Sequence, residues 1–223
     1  MFNASSFNVT ELIARLIAII IAFSVHEFSH GLASYILGDP TAKTDGRLSL
    51  NPMRHIDPVG FICLLVLRIG WAKPVNVDPR YYDNPKWGMA ITALAGPASN
   101  FLMAAAAIFI FFPISVFFGD SPSMQFPNLL FVEFLGINIS LMIFNMIPIP
   151  PLDGSKVFFA VFPDNMYFNM ISTTNISNII FVVILFTGVA SRIIGPVQSF
   201  FINGLFGLAE LFYGLIFNVV YML

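Results

Sequence analysis

The chain has 223 residues, 57% of them hydrophobic and 10% charged, with a mean hydropathy of +0.84 and a formal net charge of −2. Soluble domains carry about a quarter charged residues, so this composition belongs in a bilayer, and the weak negative charge argues against nucleic acid as a partner. The one cysteine, Cys63, excludes an intramolecular disulfide.

A helix needs about 20 apolar residues to cross the hydrocarbon core. The candidate stretches in chain order are Thr10–Leu37, Val59–Trp71, Trp87–Gly119, Asn128–Ile149, Ser177–Ile194 and Val197–Leu223. Val59–Trp71 is too short to cross upright and is expected to be a partial span or a short helix buried among others. A shorter helix, Ser155–Phe162, should follow the proline-rich turn Pro148–Pro151. The stretch before the first run, Met1–Thr10, has no basic residue, and no small-residue cleavage pattern follows the run, so the first segment reads as retained. The expected architecture is an all-α polytopic membrane protein with about six transmembrane or partial helices. It forms a single membrane-embedded domain over 1–223, with a core near 10–162 and C-terminal packing helices over 177–223.

Two polar connections stand between the early spans. Gly38–Pro58 contains the alternating piece Arg47-Leu48-Ser49-Leu50, and Ala72–Pro85 contains Pro74-Val75-Asn76-Val77; both read as short strands beside proline and glycine. Lys43, Arg47 and Arg54 lie in the first, and Lys73, Arg80 and Lys86 in or beside the second. The positive-inside rule places both on the cytoplasmic side, which supports a partial span between them.

The chemistry begins inside the first apolar run. His26-Glu27-Phe28-Ser29-His30 places two imidazoles four residues apart on one helical face, about 40° round from each other. Both can reach one metal ion, with Glu27 between them to work on water, which is the H-E-x-x-H pattern of zinc hydrolases. Ionisable groups in membrane helices are costly and usually functional. Zinc suits imidazole ligands and hydrolyses without redox chemistry, so one Zn2+ per chain is expected.

A catalytic zinc takes three protein ligands and leaves a position open. Asp153, Glu133 and His55 are the candidates for the third, and the chemistry favours Asp153, although Asp-Gly before a short helix also reads as a cap. Asn145 is a lone amide that serves either as an interhelical hydrogen-bonding group or as a donor to an oxyanion. Ala95-Gly96-Pro97-Ala98-Ser99-Asn100 reads as a close-packing, kinked stretch in which Asn100 bonds the backbone.

These motifs resemble one family in the same order along the chain: His26–His30, then Gly46–Pro52 continuing to His55-Ile56-Asp57-Pro58, Gly70–Val75, Ala95–Asn100, and Asn145–Gly154. The family is the site-2 proteases, intramembrane zinc metalloproteases of peptidase family M50, here in a minimal form without PDZ or CBS domains. The resemblance implies His26, His30 and Asp153 as zinc ligands, Glu27 as general base, and Asn145 as an oxyanion or positioning residue. It gives His55 and Asn100 supporting places. It also implies hydrolysis of a peptide bond in or near the transmembrane segment of a membrane-protein substrate, in a bacterial cell membrane. The alternative is a non-proteolytic zinc scaffold or metal transporter. Because a helical substrate must unwind before cleavage, the pieces around Leu48 and Val75 are expected to pair with it by strand addition.

Overall fold

The structure, a computed structural model, describes residues 8–67, 70–119, 121–172, 179–181, 183, 187 and 189–222. Its α-helices include, in chain order, α1 (Val9–Ile36), α2 (Thr41–Thr44), α3 (Pro58–Leu67), α4 (Pro85–Phe118), α5 (Gln125–Asn145), α6 (Asp153–Phe159), α7 (Asp164–Ser172) and α8 (Val189–Met222). Among the described residues, four segments are long and apolar enough to cross a membrane: Val9–Ile36, Pro85–Phe118, Pro122–Asn145 and Arg192–Ile216.

The starts of these helices are written locally. Asn8 caps α1 through its side-chain oxygen, which accepts the amides of Thr10 and Glu11, and Glu11 suits the positive end of the helix dipole. Asn84 caps α4 by accepting the Trp87 amide, with Pro85 at the first helical position.

What brings α1 and α4 together is a matched pair of ridges. The buried residues of α1 include Ala14, Ala18, Ala22, His26, His30 and Ser34, every fourth residue along one side. Those of α4 include Gly88, Thr92, Gly96, Asn100, Ala104 and Ile108, with the same spacing. Small residues along such ridges let backbones approach closely, which is how helices associate in a bilayer that offers no hydrophobic drive between them. α5 closes the three-helix core with Leu135, Ile139 and Ile143, and α8 packs against α4 and α5 through Leu205 and Ala209.

Several sequence expectations change at this point. The partial-span reading of Val59–Trp71 gains support, because α3 has ten residues and is about 15 Å long against a core of about 30 Å. Seven of the eighteen residues of the expected segment Ser177–Ile194 lie outside the described residues, and the last helix begins at Val189 and runs through Pro196. Membrane helices tolerate such prolines where nearby groups satisfy the freed backbone carbonyls.

The two expected strands do not form among the described residues. Arg47 and Leu48 instead both donate their amides to Ala42 O, at 2.8 and 3.1 Å, closing a turn behind α2. The second connection has no regular secondary structure over 73–78 and, among the described residues, meets its neighbour at one antiparallel bridge, Ile56 with Ala72. A glycine with φ of 65°, Gly46, turns the first connection away from a ladder.

Candidate metal centre

The site is built where α1, α4 and the α5–α6 turn meet. His26 Nε2 and His30 Nε2 lie 3.0 Å apart, and Asp153 Oδ2 lies 3.4 Å from the first and 3.1 Å from the second. His26, His30 and Asp153 are 3%, 9% and 9% exposed, so water does not separate them.

Their protons are assigned by the partners on the far side of each ring. His30 Nδ1 is 2.7 Å from the backbone carbonyl of Thr92, which can only accept, so Nδ1 carries the hydrogen. His26 Nδ1 is 2.6 Å from Asn100 Oδ1. The Asn100 amide nitrogen faces the other way and donates to Ala22 O and Asn138 Oδ1 at 3.3 and 2.9 Å. In their neutral form both imidazoles therefore turn Nε2 lone pairs, together with a carboxylate oxygen, toward one point. Three converging acceptors call for a cation among them. With bonds near 2.05 Å, the edges of a tetrahedral zinc site are about 3.3 Å, and the observed 3.0, 3.1 and 3.4 Å fit that donor set.

Asp153 reaches this point because the turn before it folds back tightly. Leu152, not Asp153, occupies the cap position of α6 and makes no side-chain cap bond, so the carboxylate is released from the capping role that its Asp-Gly context allows. A Cβ on Gly154 would lie 2.4 Å from the Met146 backbone, so only glycine permits the approach. The other oxygen, Oδ1, is 3.5 Å from Lys156 Nζ, one turn along α6.

The rival ligands are otherwise engaged. Glu133 takes a two-pronged ion pair from Arg15, with Nε and Nη2 at 3.0 and 2.9 Å, and Arg15 also holds Glu11. His55 is buried and donates Nε2 to Ser49 O at 2.6 Å, while its carbonyl accepts the Lys73 amide at 2.7 Å. It therefore joins the two polar connections and stands outside the histidine–aspartate cluster.

A cavity of about 510 Å³ opens beside the cluster and is lined by Glu27, His30, Asn145, Asp153 and Lys156 among apolar side chains. Glu27 Oε2 accepts the Val75 amide at 3.0 Å. Asn145 closes α5 and gives one amide hydrogen to Leu141 O at 3.0 Å. Leu48 and Val75 both pack on Gly31, next to His30, so these two expected substrate residues lie against α1.

The segment carrying Val75 is fastened again at Asp78, whose amide donates to Asp39 Oδ2 at 2.7 Å. Asp39 also takes hydrogen bonds from Ser34 and Thr41. Burial alone would oppose its ionisation, but the bonds from Thr41, Asp78 and Ser34 outweigh burial and hold this carboxyl below the usual range. Ser34 continues through Tyr82 to the Thr92 hydroxyl, tying the loop anchor to the residue that orients His30.

Sequence reasoning missed Asn138, Thr92, Asp39 and Lys156. Asn138 carried a usable signal, a lone amide in an apolar run, the same one that singled out Asn145. Thr92 acts through its backbone carbonyl, for which no side-chain pattern exists.

The Peptidase family M50 profile matches residues 112–191. A presumptive zinc metalloprotease of Bacillus subtilis, YwhC, is 33% identical over 82% of this chain and 85% of its own length. One of Methanocaldococcus jannaschii, MJ0611, is 31% identical over 70% of this chain and 75% of its own. Another of Mycolicibacterium smegmatis, Rip2, is 28% identical over 60% of this chain, which spans about half of that longer protein, 52%. No solved structure matches the chain.

Proposed function

The chain belongs to peptidase family M50, and on that premise we propose that it is an intramembrane zinc metalloendopeptidase of the site-2 type. Its substrate would be a peptide bond in or near the transmembrane segment of a membrane protein, and its setting a bacterial cell membrane. The observation that carries this reading is the convergence of two Nε2 lone pairs and a carboxylate oxygen within 3.4 Å of one another, where α1, long and apolar enough to cross a membrane, meets the start of α6.

In this reading His26, His30 and Asp153 hold the zinc ion. Bound there, zinc supplies Lewis acidity, lowering the pKa of water toward about 7 and polarising a carbonyl oxygen. Glu27, facing the cavity one residue after His26, takes the proton of the attacking water and returns it to the leaving amine. Asn145 keeps one amide hydrogen after bonding Leu141 O and donates it to the developing oxyanion. Thr92 and Asn100 hold the two imidazoles in the tautomer a metal needs.

The test is cleavage of a single-span substrate by the purified chain in liposomes. Cleavage should stop with a zinc chelator and return with added zinc. A wild-type protein that binds zinc and cleaves no transmembrane substrate would favour a scaffold.

Substrate pairing moves by one residue from the sequence expectation. Residues of an extended chain alternate sides. Lys73 and Val75 spend their amides on His55 O and Glu27, and Asp78 spends its own on Asp39, so on the edge opposite Val75 the Asn76 amide is the one left for a substrate. The Leu48 amide is spent on Ala42 O and is withdrawn from this role. Strand addition then predicts that Asn76→Pro lowers cleavage by about tenfold, the worth of one or two net hydrogen bonds, at unchanged zinc content. Asn76→Ala, which removes only the side-chain bond to Asp45, keeps cleavage near the wild-type rate. Equal rates for the two variants would refute pairing at this edge.

A further inference from the structure

The two asparagines buried between α1, α4 and α5 form a chain in which every bond runs the same way. His26 Nδ1 donates to Asn100 Oδ1 at 2.6 Å, Asn100 Nδ2 donates to Asn138 Oδ1 at 2.9 Å, and Asn138 Nδ2 donates to Phe134 O at 2.8 Å. Asn100 and Asn138 are both 0% exposed, so no water stands in for a missing partner. The last acceptor is a backbone carbonyl, which cannot donate.

That carbonyl sets the polarity of everything upstream. With Nδ2 of Asn138 turned to Phe134 O, the planar amide points its oxygen at Asn100. The Asn100 amide must then turn its nitrogen to Asn138 and its oxygen to His26, and His26 must carry its hydrogen on Nδ1. Were the Asn100 amide reversed, its nitrogen would face His26 Nδ1, the ring hydrogen would move to Nε2, and the lone pair at the cluster would be lost.

We propose that Asn138, on a helix that contributes no ligand to the cluster, is a positioning residue that locks the tautomer of His26 and so keeps its Nε2 lone pair ready for zinc. The inference rests on the zinc reading for its purpose, but the tautomer itself can be read without metal. A second contact, from Asn100 Nδ2 to Ala22 O, is longer at 3.3 Å and supports the same orientation.

The experiment uses the full chain labelled with 15N-histidine. The chain has three histidines, so His26, His30 and His55 give separable ring signals. His30 is an internal reference, because its Nδ1 donates to the Thr92 carbonyl, which a substitution on α5 leaves in place. Spectra are recorded before and after chelation, and zinc affinity is measured by competition with the chelator. Asn138→Leu removes the acceptor at near-constant volume. Its chelated form should show His26 as a mixture of tautomers, and its zinc affinity should fall by tenfold or more, as for other outer partners of metal-binding histidines. Asn138→Asp, in its neutral form, can donate to Phe134 O and still accept from Asn100, so it should keep the wild-type tautomer and an affinity within about threefold.

An unchanged His26 signal in Asn138→Leu overturns the proposal, even with weakened zinc binding, since that would be packing damage alone. If Asn138→Leu does not fold, Asn138→Asp and Asn138→Ser decide. Serine can donate its one hydrogen to Phe134 O, but its oxygen lies one bond nearer the backbone than the amide oxygen and falls short of Asn100, so it should show the mixed tautomer. A pure Nδ1–H ring in Asn138→Ser overturns the proposal. Wild-type protein that fails to bind zinc would instead overturn the zinc reading, with the tautomer comparison still standing.

Discussion

Glu27→Gln is expected to lower cleavage of a transmembrane substrate by about three orders of magnitude, within the range that general acid–base groups contribute. Zinc content should stay at that of the wild type. The separation of the two effects follows from where Glu27 points. Its Oε2 accepts the Val75 amide, and it is absent from the converging donor set of His26, His30 and Asp153. Glutamine has the same shape and retains a carbonyl oxygen for the Val75 N–H, so the loop anchor survives. What it lacks is a site that accepts a proton from water and returns it. The check is parallel measurement of bound zinc and cleavage rate on one preparation. A variant cleaving within tenfold of the wild type would remove Glu27 from the role of base.

The cluster was readable from sequence where its signal was local. His26 and His30 are fixed by helical spacing alone, and their neighbour Glu27 by its place between them. Asp153 was harder, since no periodicity connects residues 30 and 153, and its Asp-Gly context also suited a cap. The fold removes that ambiguity by giving the cap to Leu152 and turning the carboxylate toward the imidazoles. The strand expectation failed for a comparable reason. Alternation in Arg47–Leu50 is a statement about side chains, whereas a strand needs partner amides, and here the Arg47 and Leu48 amides were already taken by Ala42 O. Glu133 failed as a ligand because its partner, Arg15, lies on another helix, 118 residues away.

The stripe on α4 was visible only as a packing motif, yet it holds both rings. Thr92, Gly96 and Asn100 repeat every four residues, as do His26 and His30 on α1. Thr92 O takes His30, Asn100 Oδ1 takes His26, and Gly96 lies between the two contacts. Small-residue ridges in membrane helices are ordinarily read as a means of close approach. Here close approach has a chemical consequence, because only at this distance can one helix hydrogen-bond both histidines of the other. The ridge and the site are one feature of the sequence.

Gly96→Ala is therefore expected to disable the centre without unmaking the fold. A Cβ at Gly96 would lie 2.4 Å from His30 Nε2 and 2.6 Å from both His26 Cε1 and His30 Cε1. Contacts that close do not persist, so either the rings or α4 must move. The rings are not free to move, since each is tied at Nδ1 to α4 itself, at Thr92 O and Asn100 Oδ1. Moving α4 outward stretches those same bonds and opens the ridge packing along α1. Either response displaces the Nε2 atoms from Asp153 Oδ2, whose 3.1–3.4 Å separations suit one small cation. Losing the geometry of two ligands and their partners together should weaken zinc binding by at least 100-fold, the upper end for one outer partner alone, and cleavage should fall with it. Gly204→Ala is the control, because its Cβ meets nothing within 4 Å on α8, and alanine is the better helix former by about 1 kcal/mol. Chelator competition and circular dichroism on both variants separate the outcomes. A Gly96→Ala protein with wild-type helicity and wild-type zinc affinity would mean that α4 does not press on the histidine pair, and the centre would have to be drawn with more room than this structure gives it.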